Sequence, residues 1–155
     1  MAKILLTLYL LLLSSILNAQ KVADEAAIKK VINVFFEGLH EGDSTKISET
    51  LHKDVKIQTA YINKQGTSIL KGETRDNLLK NIASKKKTDK YFEKLLSFNI
   101  KIDANLATVW TPYEFYLNDV FSHCGANSFH LFNNNGKWDI IYLIDTRKRK
   151  GCKVN

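Results

Sequence analysis

Residues 106–147 read LATVWTPYEFYLNDVFSHCGANSFHLFNNNGKWDIIYLIDTR, and they carry the clearest structural pattern in the chain. Runs of β-branched and aromatic residues are interrupted there by two short groups of turn-forming residues. Asn118 and Asp119 tolerate the positive φ of a two-residue hairpin turn, and Gly136 suits the last position of a three-residue loop over residues 134–136. The stretch therefore predicts three consecutive antiparallel strands.

The two turns set the predicted register of these strands. A two-residue first turn places Glu114 opposite His123, and a three-residue second loop places His123 opposite Arg147. Side chains alternate across a strand, so residues two apart share a face. The face that we expect to line a pocket carries Trp110, Glu114, His123, Asn127, Asp145 and Arg147. The other face is predicted to carry, among others, Val109, Tyr113, Phe115, Cys124, Trp138 and Ile140.

The residues before this stretch form a mixed set of predicted helices and strands. Apolar residues at helical spacing predict helices over residues 24–41, 45–51 and 74–84. Alternating apolar and polar residues predict strands over residues 55–61, 68–70 and 91–102. The sequence shows no internal repeat and no linker, so we predict one domain over residues 20–155.

The first 19 residues have the pattern of a secretory signal peptide. Lys3 precedes a leucine-rich run, and Leu17-Asn18-Ala19 resembles a cleavage site before Gln20. A membrane anchor is the alternative, but the apolar run is short and serines interrupt it. We therefore predict that residues 1–19 are removed, that the protein is periplasmic or secreted, and that it keeps no stable membrane anchor.

The chain is basic, with 23 Lys and Arg against 16 Asp and Glu and a formal net charge of +7. Clustered basic residues suit nucleic acids. The clusters at residues 85–87 and 147–150 lack interleaved aromatic residues, however, and export separates the protein from nucleic acid. We expect these clusters to be solvated surface and expect no nucleic-acid partner.

The order of the predicted elements and several motifs indicate a known family. The motif residues are Ala107-Thr108-Val109-Trp110-Thr111-Pro112-Tyr113, Ser122-His123-Cys124-Gly125, Phe129, Trp138 and Asp145-Thr146-Arg147. With them the chain resembles the nuclear transport factor 2-like superfamily and, within it, the exported bacterial proteins grouped as putative lumazine-binding.

This resemblance implies an α+β fold in which a cone-shaped, curved antiparallel sheet wraps around three N-terminal helices. An internal pocket would then open between the first helix and the concave face of the sheet. The superfamily includes isomerases, dehydratases, epoxide hydrolases, polyketide cyclases and members without activity. Membership alone therefore does not assign a function.

The candidate site centres on three residues of the predicted pocket face. Asp145 beside His123 would orient the imidazole as a general base, and Arg147 could bind a carboxylate or phosphate of a ligand. The same three side chains could instead only satisfy one another. The candidate ligand-binding residues are Tyr61, Trp110, Glu114, His123, Asn127, Asp145 and Arg147.

The sequence predicts neither a metal site nor a cofactor. No pair of histidines has metal-ligand spacing, and the HExxH, CxxC, GxSxG and glycine-rich phosphate-loop motifs are absent from the sequence.

The two cysteines leave two alternatives open. Exported domains use disulfides, but the predicted register places Cys152 well beyond the residue opposite Cys124. A disulfide would need the tail to fold back at Gly151, and otherwise Cys124 is a small buried apolar residue.

Three functional hypotheses follow. The leading one is an exported protein that binds a small organic molecule of unknown identity and is not catalytic. The first alternative is a cofactor-independent isomerase, dehydratase or hydrolase in which His123 and Asp145 transfer a proton. The second is a dimerisation or partner-binding module, including a homodimer through the sheet.

Overall fold

The structure is a computed structural model that describes the backbone of residues 2–152 and the side chains of residues 19–152. Its helices are α1 (Ala2–Glu41), α2 (Ser44–Thr50) and α3 (Arg75–Ala83). The three predicted helices are confirmed. Helix α1 differs from the prediction because it continues unbroken before residue 24, so Asp24 does not begin it.

The predicted signal peptide falls largely outside the described side chains. Residues 2–19 are helical backbone, but the side chains that define the signal pattern are described only from residue 19. Signal cleavage therefore stays a prediction. In the part of the chain with described side chains, no helix is long and apolar enough to cross a membrane.

Seven strands form one curved, unclosed sheet in the order β2-β1-β7-β6-β5-β3, with β4 also paired to β5. The strands are β1 (Leu51–Ile62), β2 (Ser68–Glu73), β3 (Tyr91–Leu95), β4 (Asn99–Asp103), β5 (Leu106–Leu117), β6 (Val120–Asn134) and β7 (Lys137–Arg147). The three strands predicted from residues 106–147 are confirmed.

Two features of the sheet correct the prediction. The sheet is mixed rather than antiparallel, because β1 runs parallel to β7. The predicted strand over residues 91–102 is also two strands, β3 and β4, which pair with opposite halves of β5. Between β3 and β4, the Leu96 amide donates a hydrogen bond to the Pro112 carbonyl at 2.9 Å. Alternation of side chains indicates a strand but not its direction or its partner, so neither feature was visible in the sequence.

The hydrophobic core lies between the helices and the concave face of the sheet. Phe35 and Phe36 of α1 each contact Phe129 of β6 edge to face, with ring centroids 6.1 Å apart. Ile28 and Ile32, on the same side of α1, are fully buried. Each such side chain contributes about 1.5–3 kcal/mol when it leaves water. The amphipathic half of α1 thus fills the apolar part of the concave face.

The first hairpin turn is as predicted, but the register beyond it is wrong by one residue. Ser122 is an extra residue in β6, so Phe115 pairs with His123 and Glu114 pairs with Cys124. A β-bulge of this kind exchanges the two faces of one strand relative to its neighbour. Val109, Tyr113 and Phe115 therefore share the concave face with His123, whereas Trp110 and Glu114 lie on the convex face.

The second turn is also tighter than predicted. Asn135 and Gly136 form a two-residue turn with φ of 52° and 96°, and Asn134 pairs with Lys137. Ile141 is then an extra residue in β7, which places Asn127 opposite Asp145. Trp138 and Ile140 belong to the core rather than to the outer face where we predicted them.

The two cysteines form a disulfide. The Cα atoms of Cys124 and Cys152 are 6.0 Å apart. The tail turns back at Gly151, whose φ is +71°, which is the route that the sequence required for a disulfide. Of the two alternatives, the disulfide is therefore the one that the structure contains.

We predict that Gly125→Ala lowers the free energy of unfolding by about 2–3 kcal/mol. A Cβ at this position would lie 1.8 Å from the Thr146 carbonyl oxygen and 2.9 Å from the Tyr113 ring, so backbone must move. Urea denaturation measures the change. Gly72→Ala is the matched control, because its Cβ would meet nothing closer than the Ile57 oxygen at 4.0 Å. Equal effects of the two substitutions would contradict the prediction.

Candidate functional site

Polar side chains gather on the concave face beyond the apolar core. We call this group the concave polar cluster, and its members are Thr59, Glu93, Tyr113, Asn127, Asp145 and Arg147. Five strands supply them. Register explains the convergence, because Thr59, Asp145 and Asn127 are direct neighbours across β1, β7 and β6.

Asp145 is the centre of the cluster. One carboxylate oxygen accepts a hydrogen bond from the Thr59 hydroxyl at 2.6 Å, and the other accepts from Arg147 Nε at 2.7 Å. The Tyr113 hydroxyl lies 3.3 Å from that second oxygen and 2.9 Å from the Thr146 carbonyl. The Thr59 hydroxyl and Arg147 Nε are donors, as a carboxylate requires, and the single Tyr113 proton is shared between Asp145 and the Thr146 carbonyl. Asp145 is thus held in place by three strands.

Glu93 has a different environment from Asp145. The Asn127 amide donates a hydrogen bond to Glu93 Oε1 at 2.7 Å. Burial raises the pKa of Glu93 to about 7; the Asn127 bond opposes this shift and the charge of Asp145 adds to it. Two carboxyl groups with separated environments are common where proteins bind ligands or move protons. Near neutral pH, Glu93 can either donate or accept a proton.

Helix α1 fixes the backbone at Glu93. The Glu93 amide donates a hydrogen bond to His40 Nε2 at 2.9 Å, and the His40 ring packs against Phe92 at 5.2 Å. Because β3 is an edge strand, this amide would otherwise face water. The end of α1 therefore positions one side of the cluster.

Tyr113 stays a neutral phenol in this setting. Its side chain is 1% exposed. Burial, together with the negative charges of Asp145 and Glu93, raises the pKa of Tyr113 above its usual range. The hydroxyl therefore acts as a hydrogen-bond donor rather than as a base.

His123 lies beside the cluster without the partner that we predicted. Its ring stacks on Phe115 at 4.9 Å and meets Tyr113 edge to face at 5.8 Å, and its Nδ1 is 3.1 Å from the Ser122 hydroxyl. None of the described hydrogen bonds joins His123 to Asp145. Burial and the charge of Arg147 lower the pKa of His123 more than Asp145 raises it. A neutral, stacked imidazole is therefore the form expected at pH 7.

The structure separates the predicted site residues into two groups. Tyr61, His123, Asn127, Asp145 and Arg147 share the concave face.

The other two predicted site residues lie on the convex face. Trp110 is 51% exposed and borders a shallow cleft of about 230 Å³. Glu114 is buried, accepts a hydrogen bond from the Tyr116 hydroxyl at 2.8 Å, and lies 3.4 Å from Lys94 Nζ. Neither can join the concave polar cluster, because the bulge at Ser122 reverses the face of β5 relative to β6.

Thr59, Glu93 and Tyr113 belong to the cluster but were not among the predicted site residues. For Glu93 a signal existed, because strand alternation places it between Tyr91 and Leu95 on an apolar face. A carboxyl group in such a position is either paired or functional. Tyr113 was missed only through the register error, and Thr59 carried no distinguishing signal.

Other parts of the described chain do not compete as chemical centres. A groove of about 480 Å³ lies between β1, β2 and the start of α3, near Gln58, Glu73 and Arg75, away from the cluster. Over the residues with described side chains, no group of three His, Cys, Asp or Glu could hold a metal ion.

Solved structures described as ntf2-like, that is nuclear transport factor 2-like, share this fold. One from Shewanella baltica is 18% identical, with 83% of this chain and 97% of that chain covered and a TM-score of 0.62. One from Methylobacillus flagellatus is 21% identical, with 83% and 94% covered and a TM-score of 0.61. A "putative scytalone dehydratase" from Novosphingobium aromaticivorans is 12% identical, with 89% and 93% covered and a TM-score of 0.65. The protein thus has the nuclear transport factor 2-like fold.

The family within that class follows from the sequence. Residues 23–142 match the family described as "Putative lumazine-binding", and the chain belongs to it. A comparison with curated proteins finds no match.

We predict that Glu93 makes the free energy of unfolding fall as pH rises from about 4.5 to 7. The folded protein holds a proton on Glu93 to about pH 7, whereas the unfolded chain releases it near 4.5. The stabilisation that Glu93 gives the folded protein is therefore complete below pH 4.5 and lost above pH 7. It amounts to a free energy on the order of 3 kcal/mol. Glu93→Gln should remove it, which denaturation of both proteins at pH 5 and pH 8 measures.

The exposed Glu49 provides the control. Glu49→Gln should change stability by a similar small amount at both pH values. If the Glu93→Gln variant and the unsubstituted protein lose the same stability between pH 5 and pH 8, Glu93 is not the source of the pH dependence.

Proposed function

We propose that this protein is an exported pocket protein that binds a small organic molecule at the concave polar cluster and is not a catalyst. The observation that carries the proposal is that Glu93, a half-buried carboxyl whose pKa burial raises to about 7, and Arg147, whose side chain is 56% exposed, belong to one cluster. Asp145 pairs with Arg147, and Asn127, its neighbour across the sheet, binds Glu93. Pockets that bind small molecules combine apolar walls with a few polar groups of this kind.

The cluster favours a planar ligand with a hydrogen-bond acceptor. In the described contacts, Arg147 uses Nε toward Asp145 and one terminal nitrogen toward Thr59, which leaves further donors of its guanidinium for a ligand. A protonated Glu93 would add another donor. The rings of Tyr61, Phe115 and His123 lie on the same face and would provide stacking surfaces. The ligand is defined here by this chemistry rather than by the family description.

A second candidate function is cofactor-independent proton transfer. The pKa of Glu93 near 7 favours it, because a general acid or base works best near the ambient pH. The description of one fold relative as a "putative scytalone dehydratase" is compatible with such chemistry on this scaffold. In this mechanism Glu93, rather than the predicted pair of His123 and Asp145, would transfer the proton. Both carboxylate oxygens of Asp145 already accept hydrogen bonds within the protein.

Export is part of the proposal and rests on residues 1–19. The Cys124–Cys152 disulfide supports it, since such bonds persist in oxidising compartments such as the periplasm or the extracellular space.

We also propose a homodimer through the convex face of the sheet. On this face, directly paired residues of β5, β6 and β7 are uncharged, and they are Trp110, Ser128 and Ile144. The centres of protein interfaces are likewise depleted of charged residues. Sedimentation velocity over a dilution series should show dimers that Trp110→Lys converts to monomers. A protein that is monomeric at every concentration would exclude this assembly.

The ligand-binding proposal predicts stabilisation by small heteroaromatic acids. A compound at about 100 times its dissociation constant should add roughly 2.7 kcal/mol, which raises the melting temperature by several degrees. We would screen a metabolite panel that includes pterins and flavins by thermal shift. Arg147→Gln should abolish a hit, and Trp110→Ala, on the other face, should leave it unchanged.

The variants also separate the two candidate functions. If a hit survives Arg147→Gln but disappears with Trp110→Ala, the ligand binds the convex face and the proposed site is wrong. For any compound that is turned over, Glu93→Gln should abolish turnover while binding survives if Glu93 is catalytic. His123→Ala should leave turnover largely intact under the same mechanism.

A further inference from the structure

Arg147 lies at the end of β7, where fewer backbone pairs hold the strand to its neighbours. Its regular pairing with β6 stops at Asp145 opposite Asn127, and an isolated pair, Cys124 with Lys148, follows. In that pair the Cys124 amide donates to the Lys148 carbonyl at 3.0 Å, and the Lys148 amide donates back at 2.9 Å. On the other side, pairing with β1 ends at Arg147 itself. Arg147 is therefore the last residue of β7 that pairs with β1.

The backbone between these two pairs turns toward the concave polar cluster. The Thr146 carbonyl accepts a hydrogen bond from the Tyr113 hydroxyl at 2.9 Å, and the Thr146 hydroxyl accepts one from the Ala126 amide at 3.1 Å. Gly125 allows this approach because it has no side chain. The Cys124–Lys148 pair continues the register of the Asn127–Asp145 pair, so the position of Arg147 depends on an anchor beyond it as well as on one before it.

We propose that the Cys124–Cys152 disulfide is this second anchor, and that it positions Arg147 so that the concave polar cluster is complete only in the oxidised protein. The inference rests on the proposed function, which makes the cluster a binding site. Without the bond, two backbone hydrogen bonds at Lys148 would hold the tail, and a chain end so weakly held frays. Arg149, Lys150 and Gly151 are exposed and add no packing.

The bond that controls the cluster forms by thiol–disulfide exchange. Its formation removes two electrons and two protons from the thiols of Cys124 and Cys152, and an external disulfide accepts them as it is reduced to two thiols. Oxidants of that class act in the compartments to which we propose the chain is exported. The binding site would accordingly be completed after export and stay incomplete in a reducing cytosol.

Release of the tail also has an electrostatic consequence. The positive charges of Arg147 and Arg149 lower the pKa of His123, in addition to its burial. When the tail leaves, both charges move away and the pKa of His123 should rise. This shift reports on the tail without requiring any ligand.

The arginines themselves provide the main test. The chain contains three, Arg75, Arg147 and Arg149. We would prepare the oxidised protein and a sample reduced with a phosphine. Both would be treated with phenylglyoxal, which modifies arginine side chains, and the modification of each arginine would be followed by peptide mass spectrometry. In the oxidised protein Arg147 should react about tenfold more slowly than Arg149, the factor that one charge-assisted hydrogen bond supplies. Reduction should remove that difference while Arg75, which is bonded to Ser48, stays protected.

Each alternative result has a defined meaning. Equal protection of Arg147 before and after reduction would overturn the proposal. A simultaneous rise at Arg75 and Arg147 would also overturn it, because the disulfide would then support the whole fold rather than the cluster. Cys152→Ser should reproduce the reduced pattern, and it should raise the His123 pKa measured by proton NMR. Since no ligand is used, failure here is distinct from failure of the ligand screen.

Discussion

One extra residue in β6, Ser122, determines which side chains face the inside of this protein. The side-chain period of a strand is two, so a shift of one residue moves every group of β5 to the opposite face relative to β6. The shift brings Tyr113 and Phe115 to the concave face and sends Trp110 and Glu114 outward. The contact of the Tyr113 hydroxyl with Asp145 depends on this alignment.

The concave polar cluster combines two carboxyl groups in unlike environments. Asp145 receives donors from three strands, whereas Glu93 has one amide donor and a buried setting that raises its pKa to about 7. Buried groups of this kind cost stability, so a fold keeps them where they position other groups or meet a ligand. The same arrangement explains why a binding role and a proton-transfer role both remain compatible with one site.

The disulfide connects this site to the chemical environment of the protein. It ties the residues after Arg147 to β6, next to the isolated Cys124–Lys148 pair and beyond the last pair of β7 with β1. A covalent link at the end of a sheet restrains a segment that would otherwise fray, and here that segment carries the most exposed charge of the cluster. Under our proposal, the Cys124–Cys152 disulfide therefore both stabilises the end of the sheet and positions Arg147 in the concave polar cluster.

Much of the fold could be predicted from local patterns. Helical spacing in α1, the turn residues Asn118 and Asp119, and alternation along β5, β6 and β7 identified the helices and strands, because these signals depend on neighbouring residues only. The family resemblance was confirmed, and it supplied the curved sheet. His123, Asn127, Asp145 and Arg147 were placed together on one face, since the tighter second turn and the bulge at Ile141 shift β7 by two residues in all and so leave the relative faces of β6 and β7 as predicted.

The rest required the tertiary structure. The parallel pairing of β1 with β7 joins distant segments, and no local pattern encodes the direction of such a pair. No local pattern marks the bulges at Ser122 and Ile141, and the bulge at Ser122 decides that Tyr113 joins the cluster and Glu114 does not. The sequence by itself determined the elements and the residue types that could do chemistry, because propensity and periodicity are local. Only the tertiary structure decided which of them meet, because register, burial and the path of the tail depend on contacts far apart in the chain.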